Sequence, residues 1–199
     1  MKRLGLAVGG IVVVAGAALV SVTTVRFERA AEPEPLGFTA ARPGPLTVEP
    51  ERAAGLSVPV LGFARSEVRD SWGDARSGGR GHRGIDLMAT EGTPVVAVVS
   101  GRVEKLFESG LGGTTLYLRS ADGRWRYYYA HLKAYAGDVR EGMQVRRGQV
   151  LGYVGDTGDA GEGNHHLHFS TSRMRPGDRW WQGEDVNPYP LLAEREGAR

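Results

Sequence analysis

From about residue 56 onward, the chain alternates short runs of β-branched and aromatic residues with glycine-containing turns. The clearest runs are 94–107, 114–120, 125–132, 144–155 and 165–172. Gly112-Gly113 and Asp122-Gly123 separate successive runs, and both pairs are typical of β-hairpin turns. Glycine makes up 30 of 199 residues, about twice the average of ~7%, which favours tight turns over long helices. We therefore predict an all-β domain over residues 56–176, an antiparallel β-sheet with a sandwich-like arrangement.

The N-terminal residues 1–25 have the composition of a membrane-spanning segment. After Lys2 and Arg3, residues 4–25 carry no charge, and as a helix they would extend about 33 Å, enough for a hydrocarbon core of about 30 Å. A small-residue triplet at 15–17 resembles a signal-peptidase site, but the apolar run continues beyond it. We predict an uncleaved anchor in the cytoplasmic membrane, with a cleaved signal sequence as the alternative. Either one places the rest of the chain in the periplasm or cell-wall space.

The remaining segments predict a linker and a tail. Residues 26–55 contain five of the ten prolines, which favours an extended linker. Residues 177–199 are predicted as a C-terminal tail, and Trp180 and Trp181 favour its packing on the domain. The absence of cysteine excludes disulfide scaffolds and cysteine-ligated zinc. A net charge of +2 without a long basic run gives no support for a nucleic-acid partner.

The five histidines all lie in the predicted β region, at positions 82, 131, 165, 166 and 168. In a strand, residues two apart share a face, with Cα atoms about 6.6 Å apart. His166 and His168 should therefore point to one side of their strand, while Leu167 and Phe169 point into the core. His165 has the opposite parity and should face away from the pair.

A second pair of candidate ligands lies upstream, where His82 and Asp86 are four residues apart. Gly84 and the β-branched Ile85 make an extended segment more favourable there than a helix. The even separation puts both side chains on one side of the segment and Arg83 and Ile85 on the other.

Together these pairs contain the donors of a zinc site. Catalytic zinc sites typically use three nitrogen or oxygen ligands and leave a fourth position for water. His82, Asp86 and His168 meet that requirement for one ion, whereas calcium or magnesium would need more carboxylates.

His131 ends the aromatic run 125–131 and shares its parity with Trp125, Tyr127 and Tyr129. Taken alone, it is an ordinary strand histidine beside an aromatic stripe. Taken with the other histidines, it becomes a candidate for an unligated histidine near the metal.

Five motifs resemble those of the lysostaphin/LytM-type zinc metallopeptidases. They occur in that family's order over roughly residues 56–170, and they are GHRGIDL, GTPVVAVVSGRV, YYAHL, VREGMQVRRGQVLGYVGDTG and HLHF. Each motif is moderately specific, but their common order is strong evidence.

The resemblance implies an antiparallel fold with a groove across a sheet, and hydrolysis of peptide stems or cross-bridges in bacterial peptidoglycan. By position, His82, Asp86 and His168 match the zinc ligands, and His131 and His166 match two unligated catalytic histidines. The implied mechanism is metal-assisted hydrolysis, in which His166 takes the proton of water and His131 hydrogen-bonds the water or the developing oxyanion. Parity alone suggests that Tyr129 assists.

Two other functions compete with an active endopeptidase. A non-catalytic relative that binds the wall or activates another hydrolase would typically have lost metal ligands, whereas every ligand position is filled here. The segment 139–155 also resembles the hammerhead of biotinyl and lipoyl carrier domains. Such a carrier needs a lysine, commonly beside methionine, and neither Lys105 nor Lys133 has a methionine neighbour. The sequence does not identify the bond that is cleaved or a regulatory protein partner.

Overall fold

The computed structural model describes residues 56–76 and 79–193, which form an all-β domain with little helix. The strands are β1 Ile85–Met88, β2 Pro94–Val96, β3 Gly101–Ser109, β4 Gly113–Ser120, β5 Trp125–Tyr135, β6 Gln144–Val145, β7 Val150–Val154, β8 His166–Arg173 and β9 Glu184–Val186. A 3-10 turn covers Arg65–Glu67, and a short helix α1 covers Pro188–Ala193. The all-β prediction is confirmed.

The predicted anchor (1–25), the predicted linker (26–55) and the last six residues of the predicted tail lie outside the described residues. Among residues 56–76 and 79–193, no helix has both the length and the apolar character needed to cross a membrane.

The nine strands belong to one antiparallel sheet. Its main path runs β1-β8-β5-β4-β3-β6, while β7 pairs with β2 and β5, and β9 pairs with β8. The longest strand, β5, pairs with β4, β8 and β7. Since β5 lies next to β8, and β8 lies next to β1, residues from three distant parts of the sequence meet on neighbouring strands.

Alternation of side chains along the strands separates the core from the other face of the sheet. Leu167 and Phe169 of β8 and Tyr129 of β5 are fully buried, and each such side chain contributes about 1.5–3 kcal/mol to folding. Val95 of β2 and Leu151 of β7 pack in the same cluster. The sheet therefore folds around a single core, and His166 and His168 lie on its opposite face.

The predicted hairpin turns are confirmed, and one of them has a role at the groove. Gly113, at the start of β4, and Gly123, between β4 and β5, both have positive φ, 63° and 73°. A Cβ on Gly113 would lie 2.2 Å from Oγ1 of Thr157. Only glycine allows the β3–β4 turn to pack this closely against the loop that precedes β8.

The C-terminal residues pack on the sheet. Arg126, buried on β5, donates hydrogen bonds from Nη1 to the carbonyls of Trp180 (2.9 Å) and Gln182 (2.8 Å). The Trp180 ring lies 4.9 Å from the ring of Tyr117. Trp180 therefore packs on the domain as the sequence predicted, whereas Trp181 is 52% exposed.

Candidate active site

Two candidate ligands face each other across neighbouring strands. Asp86 of β1 is the register partner of His168 of β8, and side chains directly opposite in an antiparallel pair have Cβ atoms about 4.5–5.5 Å apart. The neighbours Ile85 and Leu87 are buried in the core. Asp86 is therefore turned to the face that carries His168, as the alternation in the sequence predicted.

His82 reaches the same place from the segment just before β1. Its Nδ1 lies 2.7 Å from the carbonyl oxygen of Ser71. Because a carbonyl only accepts, Nδ1 carries the hydrogen and Nε2 keeps its lone pair. Nη2 of Arg76 also lies 2.9 Å from Nδ1, which is a close contact rather than a hydrogen bond, since that hydrogen is already directed at Ser71.

The three donor atoms form a compact triangle. Nε2 of His82 lies 2.8 Å from Nδ1 of His168, and Oδ1 of Asp86 lies 3.2 Å from each of these nitrogens. With bonds of about 2.0–2.2 Å, two donors of a tetrahedral zinc site lie about 3.3–3.6 Å apart. The triangle is close to that size, so the three side chains fit one zinc ion without cysteine.

Neighbouring groups keep the Asp86 carboxylate charged. Burial opposes its ionisation, but the adjacent His168 and His82 rings and the Arg76 guanidinium outweigh burial and hold its pKa well below the ordinary range. Arg76 contacts Oδ2, which leaves Oδ1 in the donor triangle. Burial also lowers the pKa of His168, which favours the neutral ring that a metal ligand requires.

His166 lies beside the triangle. Its Nδ1 donates to the carbonyl of Asn164 at 2.8 Å, so Nε2 of the neutral ring is an acceptor. Nε2 lies 3.9 Å from Oδ1 of Asp86. His166 therefore presents a basic nitrogen next to the candidate metal position.

His131 also faces the groove, although its parity with Tyr129 would place it in the core. Its φ is 57°, a left-handed conformation that interrupts the alternation of β5. The backbone N–H donates to Gly112 O and Nδ1 donates to Thr157 O, at 2.8 and 2.7 Å. The ring centroid lies 4.8 Å from that of His166. Burial, with some contribution from His166 and His168, lowers the pKa of His131.

The suggested assistance from Tyr129 is wrong. Its side chain is fully buried, and its hydroxyl oxygen accepts a hydrogen bond from the backbone N–H of Val98. The neighbouring Tyr128, which the sequence reasoning did not select, lies on the groove face instead. The rings of Tyr128 and His168 have centroids 5.8 Å apart.

An open groove of about 520 Å³ contains this cluster. It is lined by four of the histidines and by polar residues from the surrounding loops, among them Arg76, Arg80, Arg83, Asp159 and Asn164. His165 does not line it; its Nε2 lies 3.5 Å from Oδ2 of Asp156. This agrees with its predicted orientation away from the pair.

Gly84 fixes the position of His168. A Cβ at residue 84 would lie 2.6 Å from the carbonyl oxygen of Phe169 and 2.7 Å from Cε1 of His168. We expect Gly84→Ala to displace the His168 ring, weaken zinc binding about 10- to 100-fold and destabilise the domain by about 1–3 kcal/mol. Competition with a chromophoric chelator and thermal unfolding measure both effects.

Gly81→Ala is the matched control, because a Cβ there meets no atom closer than 3.8 Å. Zinc affinity in this variant should equal that of the unchanged protein. Equal affinity in Gly84→Ala as well would contradict the role given to Gly84.

Comparisons of sequence and of structure both find peptidases among the proteins similar to this chain. The chain is 34% identical over 131 residues to an L-Ala–D-Glu endopeptidase of Bacillus subtilis (62% of this chain, 39% of the relative). It is 33% identical over 145 residues to the DD-carboxypeptidase/endopeptidase Mpg of Neisseria meningitidis (73% and 29%). The crystallised catalytic domain of lysostaphin from Staphylococcus simulans superposes with a TM-score of 0.54 at 31% identity, covering 64% of this chain and 92% of that domain.

The chain spans less than half the length of these two full-length relatives. The model of peptidase family M23 matches residues 80–188, more than half of the 199 residues. This range contains every residue of the candidate metal centre and both further histidines, and the resemblance to lysostaphin and LytM-type peptidases is confirmed. The chain belongs to peptidase family M23.

Proposed function

We propose that this domain is a zinc-dependent endopeptidase that hydrolyses peptide cross-links in bacterial peptidoglycan. The observation that carries the proposal is the convergence of three metal-binding donors and two further histidines in one open groove. His82, Asp86 and His168 would hold the ion, while His131 and His166 remain outside the donor triangle. A metal site built only for stability would need no additional histidines beside it.

In each of the two further histidines, the Nδ1 hydrogen is held by a backbone carbonyl, which leaves Nε2 to accept a proton or a hydrogen bond. A zinc ion held by His82, Asp86 and His168 would acidify a bound water and polarise a substrate carbonyl. Nε2 of His166 is an acceptor, because its Nδ1 hydrogen is held by Asn164, so His166 can take a proton from the attacking water and return it to the leaving amine.

His131 has the same tautomer, since Thr157 holds its Nδ1 hydrogen. The neutral ring accepts a hydrogen bond from water and orients it. To stabilise the oxyanion, His131 would also need a hydrogen on Nε2, which only the protonated ring has. Burial lowers the pKa of His131 and so disfavours the protonated ring. Orientation of water is therefore the role we assign to His131.

The names of relatives support a wall peptide as substrate. One relative is named an L-Ala–D-Glu endopeptidase, and D-residues are a feature of wall peptides rather than of ribosomally made proteins. For the present chain, this substrate class is part of the proposal.

We also place the domain outside the cytoplasm, in the periplasm or cell-wall space. The support is the uncharged segment 4–25 after Lys2 and Arg3, which has the length of a membrane anchor. The alternative function, non-catalytic binding to the wall or activation of another hydrolase, has no observation in its favour, because the full set of donors is in place.

Digestion of purified sacculi tests the proposal. Protein stripped with a chelator should release no peptides, and one equivalent of zinc should restore the release of fragments with new amino termini. A zinc-loaded protein that binds sacculi but releases nothing would overturn the enzymatic function and support the non-catalytic alternative.

A further inference from the structure

Three arginines line one side of the groove. Arg76, Arg80 and Arg83 come from the segment that leads into β1, and all three line the cavity that contains His82 and His168. Asp159, from the loop before β8, is the acidic residue that lines this cavity within the described part of the chain. A groove with an excess of one charge attracts ligands of the opposite charge.

Arg76 and Arg80 already have acidic neighbours. Arg76 contacts Asp86, so its charge is committed to a candidate metal ligand. Nη2 of Arg80 lies 3.9 Å from Oδ2 of Asp159, and about half of each side chain is exposed. The charges of Arg76 and Arg80 are therefore at least partly compensated by carboxylates of the domain itself.

Arg83 differs from the other two. It lies before β1 begins, where regular strand alternation does not apply, and it lines the groove. No carboxylate among residues 56–76 and 79–193 lies within 4.0 Å of its guanidinium; its Cζ is 5.7 Å from the ring centroid of Trp72. A guanidinium supported on an aromatic ring keeps the N–H donors at its edge available for a carboxylate.

Arg83 lies close to the candidate metal centre, where the peptide bond of a substrate would be cleaved. Arg83 follows His82 directly in the sequence, and consecutive Cα atoms are about 3.8 Å apart. A ligand group that pairs with Arg83 therefore lies within a few residues of the candidate metal centre along an extended peptide.

From these contacts we infer that the groove selects acidic peptides: Arg83 pairs with a free carboxylate near the scissile bond. This inference rests on the proposed peptidase function and makes it more specific, because a neutral peptide such as oligoglycine would not use this side of the groove. A bidentate arginine–carboxylate pair is typically stronger and more specific than a pair with lysine.

The test compares two synthetic peptides. One is L-Ala-γ-D-Glu-L-Lys-D-Ala with its carboxylates free, and the other is the same peptide with every carboxylate amidated. Isothermal titration with the zinc-loaded protein gives the dissociation constant of each. The free peptide should bind at least about tenfold more tightly, since a charge-assisted hydrogen bond contributes about 1.5–3 kcal/mol.

Variants separate Arg83 from the metal, which also attracts carboxylates. Arg83→Gln should reduce the preference to less than about threefold, and Arg83→Lys should retain an intermediate preference because it keeps the charge without the planar fork. Arg124→Gln is the control: this exposed arginine pairs with Asp122 away from the groove, and the full preference should remain. All variants should bind one equivalent of zinc.

The outcomes distinguish this inference from the proposed function. Equal binding of both peptides, or a preference that survives Arg83→Gln, would overturn the role of Arg83 even if the protein digests sacculi. Loss of the preference in Arg83→Gln would support it even if the unchanged protein cleaved no wall material, a result that would overturn the peptidase function alone.

Discussion

His168→Ala is expected to lose zinc and peptidoglycan cleavage together. The substitution removes Nδ1 from the donor triangle and leaves two donors, His82 and Asp86, where catalytic zinc sites typically use three protein ligands. Bound zinc after dialysis should fall from one equivalent to less than about a tenth, and the release of wall peptides should fall at least about a thousandfold.

The fold should survive this change. His168 lies on the groove face of β8, while its neighbours Leu167 and Phe169 remain in the core, so circular dichroism should show the same β content. His165→Ala is the matched control, since His165 lies beside Asp156 outside the groove. If the His168→Ala protein kept full zinc content, the assignment of His168 as a ligand would be wrong.

His166→Ala should give a different result: zinc stays bound and cleavage is lost. His166 is outside the donor triangle, but its Nε2 lies 3.9 Å from Oδ1 of Asp86, and its Nδ1 hydrogen is held by the carbonyl of Asn164. Loss of a general base typically costs about 10²- to 10⁴-fold in rate. We expect a fall of that size in kcat, with one equivalent of zinc retained.

Metal analysis and kinetics on the same preparation check the His166 prediction. The contrast with His168→Ala is the informative part, because the two histidines are two residues apart on one face of β8. Loss of zinc in both variants would contradict the division into ligand and base. A His166→Ala protein that cleaves at the original rate would remove His166 from the chemistry.

Strand alternation was sufficient to predict part of the site. In β8, the pattern His-Leu-His-Phe places the side chains of Leu167 and Phe169 in the core and both histidines on the groove face. The same argument oriented Asp86 of β1. These predictions agree with the structure because both strands are regular and one face of each is buried, which fixes the register.

The alternation of side chains along β5 does not predict the orientation of His131. The positive φ there changes the face to which the side chain points, so parity placed His131 with Tyr129, which is in the core. A left-handed histidine inside a strand leaves no periodic signal, and the family motif YYAHL located His131 where periodicity did not.

Other contacts in the site cannot be predicted from residue types, because backbone atoms make them. The carbonyl oxygens of Ser71, Thr157 and Asn164 set the tautomers of three histidines, and every residue has a carbonyl oxygen. Arg83, predicted to lie on the side opposite His82 and Asp86, lines the groove, because the segment before β1 is not a regular strand. Backbone geometry in loops, rather than side-chain pattern, determines these contacts.

Diffraction from crystals of the zinc-loaded protein, recorded on both sides of the zinc absorption edge, tests the metal centre most directly. One anomalous peak is expected within about 2.0–2.2 Å of Nε2 of His82, Nδ1 of His168 and a carboxylate oxygen of Asp86, with His131 and His166 unbound. A peak at another set of side chains, or no peak from a protein that still cleaves sacculi, would contradict this expectation.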